Sequence, residues 1–323
     1  MKNYLLTICS SLLLITGVMC ASAQEVWFAP PDNLDRGART YNHDFPQLFD
    51  ANPAWDAKID VFKISPKMGS TVGPAEQLTR INAFLRERHI ALAVDVGAMQ
   101  VDNANPVPGE CGYGVEGMVR PGRNAIEFKR LKQLGMDIRY VTMDEPLTFG
   151  HYYNKKNACG YSIEEVARRV AAALAEIRQY YPDVRIVDVE APQSMTTAQW
   201  NADFPKWLEA YRRATGRPLD AIVYDLDWRP SWQELVIPGV RAAHQAGIRV
   251  GLILDGAGKS DAEAVADYKK NMASAATLHA PLDFVVIANW TPHPANDLPQ
   301  SDPNSLTGVL HYYNATYHPS AHN

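Results

Sequence analysis

The chain has 323 residues and a formal net charge of −5, and its residues are 46% hydrophobic, 21% charged and 10% aromatic. These proportions are those of a folded globular protein and exclude a disordered, collagen-like or multi-pass membrane protein. The acidic balance argues against nucleic acid as the main partner, because binding to a phosphate backbone needs a basic surface.

The N-terminus predicts a secretory signal peptide. An apolar run over residues 4–19 follows a short positive start and precedes the small-x-small sequence Ala21-Ser22-Ala23. We expect residues 1–23 to be removed, which leaves residues 24–323 as a secreted or periplasmic protein with no membrane partner. Lipidation of Cys20 is the less favoured alternative.

Two cysteines, Cys111 and Cys159, stay in the chain after this removal. In an oxidising compartment such a pair is expected to form a disulfide that joins two distant parts of the chain. Two separate thiols are the alternative. A zinc site is disfavoured because no paired His or Cys stands at ligand spacing nearby.

From residue 24 onwards, eight short apolar runs rich in β-branched residues alternate with amphipathic stretches. The predicted strands are 26–29, 59–64, 90–96, 138–143, 184–189, 221–226, 249–254 and 284–288. The predicted helices are 75–88, 125–134, 163–180, 197–215, 232–246 and 262–278. Ser162 followed by Glu165 marks one helix start, and Gly216 marks one helix end.

Eight strand-helix alternations in about 300 residues predict a single-domain (β/α)8 TIM barrel of the α/β class over residues 24–323. The alternative is an open doubly wound sheet. No G-x-G-x-x-G or G-x-x-x-x-G-K-[ST] sequence follows any predicted strand, so nucleotide binding has no support.

Acidic residues stand at the predicted C-terminal ends of the strands, where a barrel of this kind carries its active site. They are Asp95, Asp144, Glu145, Asp188, Glu190, Asp225, Asp227 and Asp255. Such crowding raises carboxyl pKa values. A protonated carboxyl group beside an ionised one is what cleavage of a glycosidic bond requires.

Aromatic residues at or just after the same strand ends fit a carbohydrate partner, because flat apolar rings can stack on sugar faces. They are Trp27, Trp228, Trp290, Tyr113, Tyr152 and Tyr153. Packing in the core is the alternative role of each.

This layout resembles the secreted (β/α)8-barrel glycoside hydrolases, and in particular the large clan whose acid/base glutamate ends the fourth strand. Glu145 stands at that position and follows Asp144, where the clan usually has Asn. The clan places a glutamate nucleophile after the seventh strand, where this chain has Asp255. The resemblance implies a polysaccharide-degrading hydrolase.

We therefore predict Glu145 as the general acid and Glu190 as its nucleophile or base, with Asp227 and Asp255 as alternatives. No cofactor or metal is predicted, and a monomer is expected. The predicted substrate contacts are Asp32, Lys63, Asp144, His151, Tyr152, Trp228, Asn289 and Trp290.

Three other functions stay open at this point. A metal-dependent barrel hydrolase or isomerase would also gather carboxylates, although no H-x-H or H-x-x-x-H sequence ends a strand. A carbohydrate-binding barrel without catalysis would keep the aromatic residues. A transglycosylase would differ from a hydrolase only in its acceptor.

Overall fold

The computed structural model describes residues 24–35, 42–103, 105–228 and 230–318. The predicted signal peptide lies outside the described residues. Within these ranges, no helix has both the length and the apolar character needed to cross a bilayer.

Eight parallel strands close into a barrel, in the order β1, β2, β3, β6, β7, β8, β9, β10. Their bounds are Glu25–Ala29, Val61–Ile64, Ala91–Val96, Ile138–Asp144, Arg185–Glu190, Ala221–Tyr224, Arg249–Leu254 and Phe284–Ala288. All eight predicted strands are confirmed. Two further short strands, β4 (Met99–Gln100) and β5 (Met118–Val119), pair in parallel within the loop that follows β3.

Within the described ranges, eight α-helices follow or connect the strands. Their bounds, from α1 to α8, are Pro66–Gly69, Ala75–Glu87, Arg123–Gln133, Ile163–Arg178, Thr197–Thr215, Trp232–Gln245, Asp261–Ala275 and Leu306–Tyr317. The predicted helices correspond to α2 to α7. The prediction missed α8 because five consecutive residues, 306–310, are buried and hide the helical period.

Local signals fix where several helices begin and end. The Ser162 hydroxyl accepts a hydrogen bond from the backbone N–H of Glu165, and Thr196 forms a capping box with Gln199. Gly216 ends α5 in the left-handed region, at φ 73°. The capping signals in the sequence therefore act as expected.

Alternation along each strand sorts the side chains into an inner core and an outer core. Val187 and Val189 of β7 belong to the inner cluster, whereas Ile186 packs in the outer cluster with the helices. Trp27 is also inside: it is 1% exposed and stacks on Phe284 at 4.9 Å between ring centroids. The expectation that Trp27 lies at the rim is wrong, because the residue is in the middle of β1 rather than at its end.

Candidate active site at the barrel mouth

Ionisable side chains gather at the C-terminal strand ends, which we call the barrel mouth. Five carboxyl groups there have raised pKa values or form an ion pair, and we call them the acidic cluster: Asp95, Asp144, Glu145, Asp225 and Asp255. Asp95 lies in β3 and Asp144 ends β6, while Asp225 and Asp255 directly follow β8 and β9.

Lys63 of β2 supplies a cation inside this cluster. Its ammonium lies 2.9 Å from Asp95 Oδ2, and the Thr142 hydroxyl donates to Asp95 Oδ1 at 2.6 Å. Burial alone would lower the pKa of Lys63, but the facing carboxylates, with Asp95 first and then Asp144, raise it. Lys63 is therefore engaged in an ion pair with a carboxylate of the cluster.

Glu145 occupies a strained position at the end of β6. Its φ of 45° lies in the left-handed region, which costs a non-glycine residue about 1–2 kcal/mol. Its carboxyl group makes no hydrogen bond or ion pair with any described residue. Burial raises the pKa of Glu145 to about 9, and the charges of Glu190 and Asp225 add to the effect. The group is therefore protonated at neutral pH.

Glu190 lies behind Glu145, on the side of β7 that faces the helices. Its side chain is fully buried. Oε1 accepts a hydrogen bond from Leu147 N at 2.6 Å, and Oε2 accepts from Thr148 N at 3.0 Å and Thr148 Oγ1 at 2.8 Å. Both oxygens are thus used to hold the segment that follows Glu145. This geometry favours a positioning role for Glu190 over the predicted role of nucleophile or base.

Asp188 occupies the same outer side of β7, one pleat lower. It accepts a hydrogen bond from Trp207 Nε1 of α5 at 2.7 Å and is fully buried. Burial raises the pKa of Asp188 to about 8. Its place between strand and helix separates it from the barrel mouth.

Asp225 and Asp255 are neighbours on adjacent strands. Asp255 Oδ1 accepts a hydrogen bond from Trp228 Nε1 at 2.9 Å, and burial raises the pKa of Asp255 to about 6. Burial and the charge of Asp255 raise the pKa of Asp225 to about 7. Trp228 has a φ of 54°, so a second strained residue lies at the mouth. Asp227, the other predicted alternative, is exposed beside them.

Trp290 stands between two cavities at the mouth and is 48% exposed. One cavity, of about 300 Å³, is lined by Asp32, Lys63 and Asp95 among others. The second, of about 440 Å³, is lined by residues that include Asp225, Trp228 and Asp255. Trp290 is the predicted aromatic contact that is most open to a ligand.

Two other predicted contacts are held by hydrogen bonds to loop residues, Asp32 by the loop after β2 and Asn289 by its own loop after β10. Asp32 is 6% exposed and accepts hydrogen bonds from Ser65 N at 2.7 Å and Ser65 Oγ at 2.6 Å. The Asn289 amide donates to Pro294 O at 3.2 Å, and its oxygen accepts from Thr291 N at 2.9 Å. These bonds fix the loops after β2 and β10 around the first cavity.

His151 and Tyr152 lie on the π-helical turn Thr148–Tyr152, beyond the segment that Glu190 holds. His151 Nδ1 is 2.6 Å from Tyr161 O, and the Tyr152 hydroxyl donates to Asp203 of α5. They are thus tied to the surrounding loop and helix rather than to the acidic cluster.

A disulfide joins Cys111 to Cys159, with a Cα–Cα distance of 4.8 Å. The predicted pairing is confirmed. It links the loop after β3 to the loop after β6 and so fixes one wall of the mouth beside Glu145.

The loop after β3 also carries Glu116, which was not among the predicted site residues. Its charge contributes to the raised pKa values of Asp144, Glu145 and Asp225. Glu116 lies far from the end of any barrel strand, so the pattern of apolar runs in the sequence could not identify it. The glycine at position 117 is a weak sequence signal of a close backbone approach. In the structure, Gly117 has a φ of 70°, and an added Cβ would collide with the carbonyl oxygen of Asp144.

No group of three or more His, Cys, Asp or Glu among the described residues has the arrangement of a metal site.

No protein-family model matches the chain, and no curated protein matches its sequence. Several solved structures are similar in fold. A GH10 protein from Paenibacillus barcinonensis has a TM-score of 0.54 at 11% identity, covering 93% of this chain and 97% of that one. A putative alpha-L-fucosidase from Bacteroides thetaiotaomicron has a TM-score of 0.51 at 9% identity, covering 97% and 98%.

An endo-beta1,6-glucanase has a TM-score of 0.50 at 15% identity, covering 83% of this chain and 66% of that one. At these identities the likeness establishes the fold alone, which is a single-domain (β/α)8 TIM barrel.

Proposed function

We propose that this protein is a secreted glycoside hydrolase that cleaves a poly- or oligosaccharide at the barrel mouth, with Glu145 as general acid. One observation carries the proposal. Glu145 has a pKa raised to about 9 and no hydrogen-bond partner among the described residues, and it is held in a strained backbone conformation beside Asp225, whose pKa is raised only to about 7. A pair of carboxyl groups whose surroundings separate their pKa values is the arrangement that acid/base catalysis needs.

In this mechanism, Glu145 donates its proton to the glycosidic oxygen as the bond to the anomeric carbon breaks. Positive charge then develops on the sugar ring, and a nearby carboxylate stabilises it. We choose Asp255 among the predicted alternatives because its pKa of about 6 leaves it ionised at neutral pH. The Trp228 indole N–H orients its carboxylate and favours the ionised form. Asp255 then acts as nucleophile or as base toward a water molecule.

The remaining groups support this pair. The charge of Asp225 raises the pKa of Glu145, and the charge of Asp255 raises the pKa of Asp225. Lys63 and Thr142 hold Asp95 at the base of the mouth. The similar structures bear names of carbohydrate-cleaving enzymes, which supports the same class for this chain.

The test is release of reducing ends from a panel of polysaccharides by the protein without residues 1–23. Glu145→Gln is expected to lower kcat/KM by about 10²–10⁴-fold, the contribution of a general acid, and Asp255→Asn is expected to abolish turnover. The matched control is Glu87→Gln, a 79% exposed side chain at the end of α2. Activity that depends on a metal and is lost in EDTA would contradict the two-carboxylate mechanism.

A further inference from the structure

The cavity of about 440 Å³ beside Trp290 has an unusual charge balance. Among the described residues that line it, Asp225, Asp227, Asp255 and Asp267 carry carboxyl groups, and Lys270 carries the one ammonium group. A ligand that enters this cavity meets a negative potential, which favours cations and repels anions.

Asp225 and Asp267 are the carboxyl groups in this cavity that no described residue pairs with, and Asp225 is the one that directly follows a barrel strand. Its carboxyl group is largely buried and makes no hydrogen bond or ion pair with the described part of the chain. Asp255 is bonded to Trp228, and the Lys63 ammonium is bonded to Asp95. A buried carboxylate without a hydrogen bond or ion pair is costly, and Lys63, which is paired with Asp95, acts on Asp225 only at a distance. A cation that reaches Asp225 therefore gains a contact that no described residue supplies.

Two indole rings border the same cavity. Trp290 is exposed and Trp228 is half-buried. Aromatic faces stack on the apolar faces of sugars, and their negative ring faces also attract an ammonium group. The cavity thus combines a surface for a sugar ring with carboxylates for a positive charge.

We propose that this cavity is a subsite for a sugar with a free protonated amine, with Asp225 as the main acceptor of the ammonium. This inference rests on the proposed function and names its substrate class, a polysaccharide of amino sugars without N-acetyl groups. Uronic acids are disfavoured because their carboxylates would face the acidic cluster while Lys63 is already paired.

The test is calorimetric binding of paired oligosaccharides to Glu145→Gln, in which turnover is slowed by about 10²–10⁴-fold. The probes are tetramers of glucosamine and of galactosamine, each as the free amine and in N-acetylated form. In at least one sugar series, the free amine is expected to bind about ten-fold more tightly, the value of one charge-assisted hydrogen bond. The preference is expected to shrink with added salt.

Asp225→Asn, introduced into the same background, is expected to remove the preference for the amine and to leave binding of the N-acetylated form unchanged. The matched control is Asp183→Asn, an exposed aspartate before β7 at the opposite end of the barrel. Equal or weaker binding of the free amine in both series, or a preference that survives Asp225→Asn, would overturn the inference.

Hydrolysis by the wild-type protein separates this inference from the proposed function. Cleavage of neutral or N-acetylated glycans in preference to free amines would overturn the substrate class and leave the hydrolase intact. Selective amine binding without cleavage of any glycan would instead contradict the hydrolase.

Discussion

Glu145 and Glu190 are close enough for the charge of one to raise the pKa of the other, yet their surroundings give them different tasks. Glu190 is fully buried and accepts three hydrogen bonds from Leu147 and Thr148. Glu145 is partly open to the mouth and has no such bonds in the described structure. One carboxyl group therefore positions the loop on which the other is presented.

The pH profile of kcat/KM tests the assignment of acid and partner. The active form needs Asp255 ionised and Glu145 protonated, with pKa values of about 6 and about 9. We expect kcat/KM to rise as pH passes about 6 and to fall as it passes about 9. In Glu145→Gln the alkaline fall is expected to disappear. An unchanged alkaline limb in that variant would assign it to another group.

Glu190→Ala tests the positioning role. The variant leaves two buried backbone N–H groups and one hydroxyl without their acceptor, so the free energy of unfolding is expected to fall on the order of 3 kcal/mol. Urea unfolding measures this change. Activity is expected to fall without recovery in azide, a small anion that can replace a missing nucleophile. Unchanged stability together with azide rescue would support the nucleophile role that the sequence suggested.

At the scale of elements, the loop between β3 and α3 forms the wall of the mouth next to Glu145. It contains the β4–β5 pair and is tied to the loop after β6 by the disulfide. Its backbone passes so close to β6 that a side chain at Gly117 would collide with Asp144 O. The loop thus sets both the shape of the mouth and the charge that Glu116 adds to it.

Two glycines of this loop provide a matched pair of variants. Gly114 and Gly117 have similar φ values of 63° and 70°, but an added Cβ at Gly114 meets no atom within 4 Å. Alanine at either position carries the left-handed penalty of about 1 kcal/mol. We expect Gly117→Ala also to displace the wall and lower kcat/KM at least ten-fold more than Gly114→Ala does, as measured by initial rates. Equal effects of the two variants would show that contact with Asp144 is unimportant.

The sequence predicts the strands well and the site less well, for physical reasons. Each barrel strand is buried on both faces, so Ile138–Asp144 and its counterparts form apolar runs that need no tertiary information. Glu190 keeps the alternation of β7 and lies on the side of Ile186 that faces the helices, but the sequence does not say which side of β7 faces inward. Glu145 leaves the alternation of β6 through its left-handed φ, which only the structure reveals. Glu116 reaches the mouth through a long loop whose path only tertiary contacts define.

Across the whole molecule, raised carboxyl pKa values link stability to pH. The pKa values of Asp188, Glu145 and Asp225 are about 8, 9 and 7 in the folded state, above their ordinary values. The folded state therefore holds more protons than the unfolded state above about pH 4.5, so these groups lower the free energy of unfolding as pH rises toward 9. The contribution of each group to the free energy of unfolding is highest below its ordinary pKa and is lost as pH rises through its raised pKa.

Urea unfolding at about pH 5 and about pH 8.5 is expected to show this loss in the wild-type protein. Glu145→Gln is expected to reduce the loss on the order of 2 kcal/mol, because the amide cannot ionise. The variant is then more stable than the wild type at alkaline pH and less active. A wild-type protein that gains stability over this interval would contradict the protonated state of the cluster.

The central claim is that Glu145 donates a proton to the departing glycosidic oxygen. Its most direct test compares Glu145→Gln with the wild type on a cleaved glycan and on the dinitrophenyl glycoside of the same sugar, whose leaving group departs without a proton. We predict a loss in kcat/KM of about 10²–10⁴-fold on the glycan and less than about ten-fold on the dinitrophenyl glycoside. Equal losses on the two substrates, or no loss on the glycan, would contradict it.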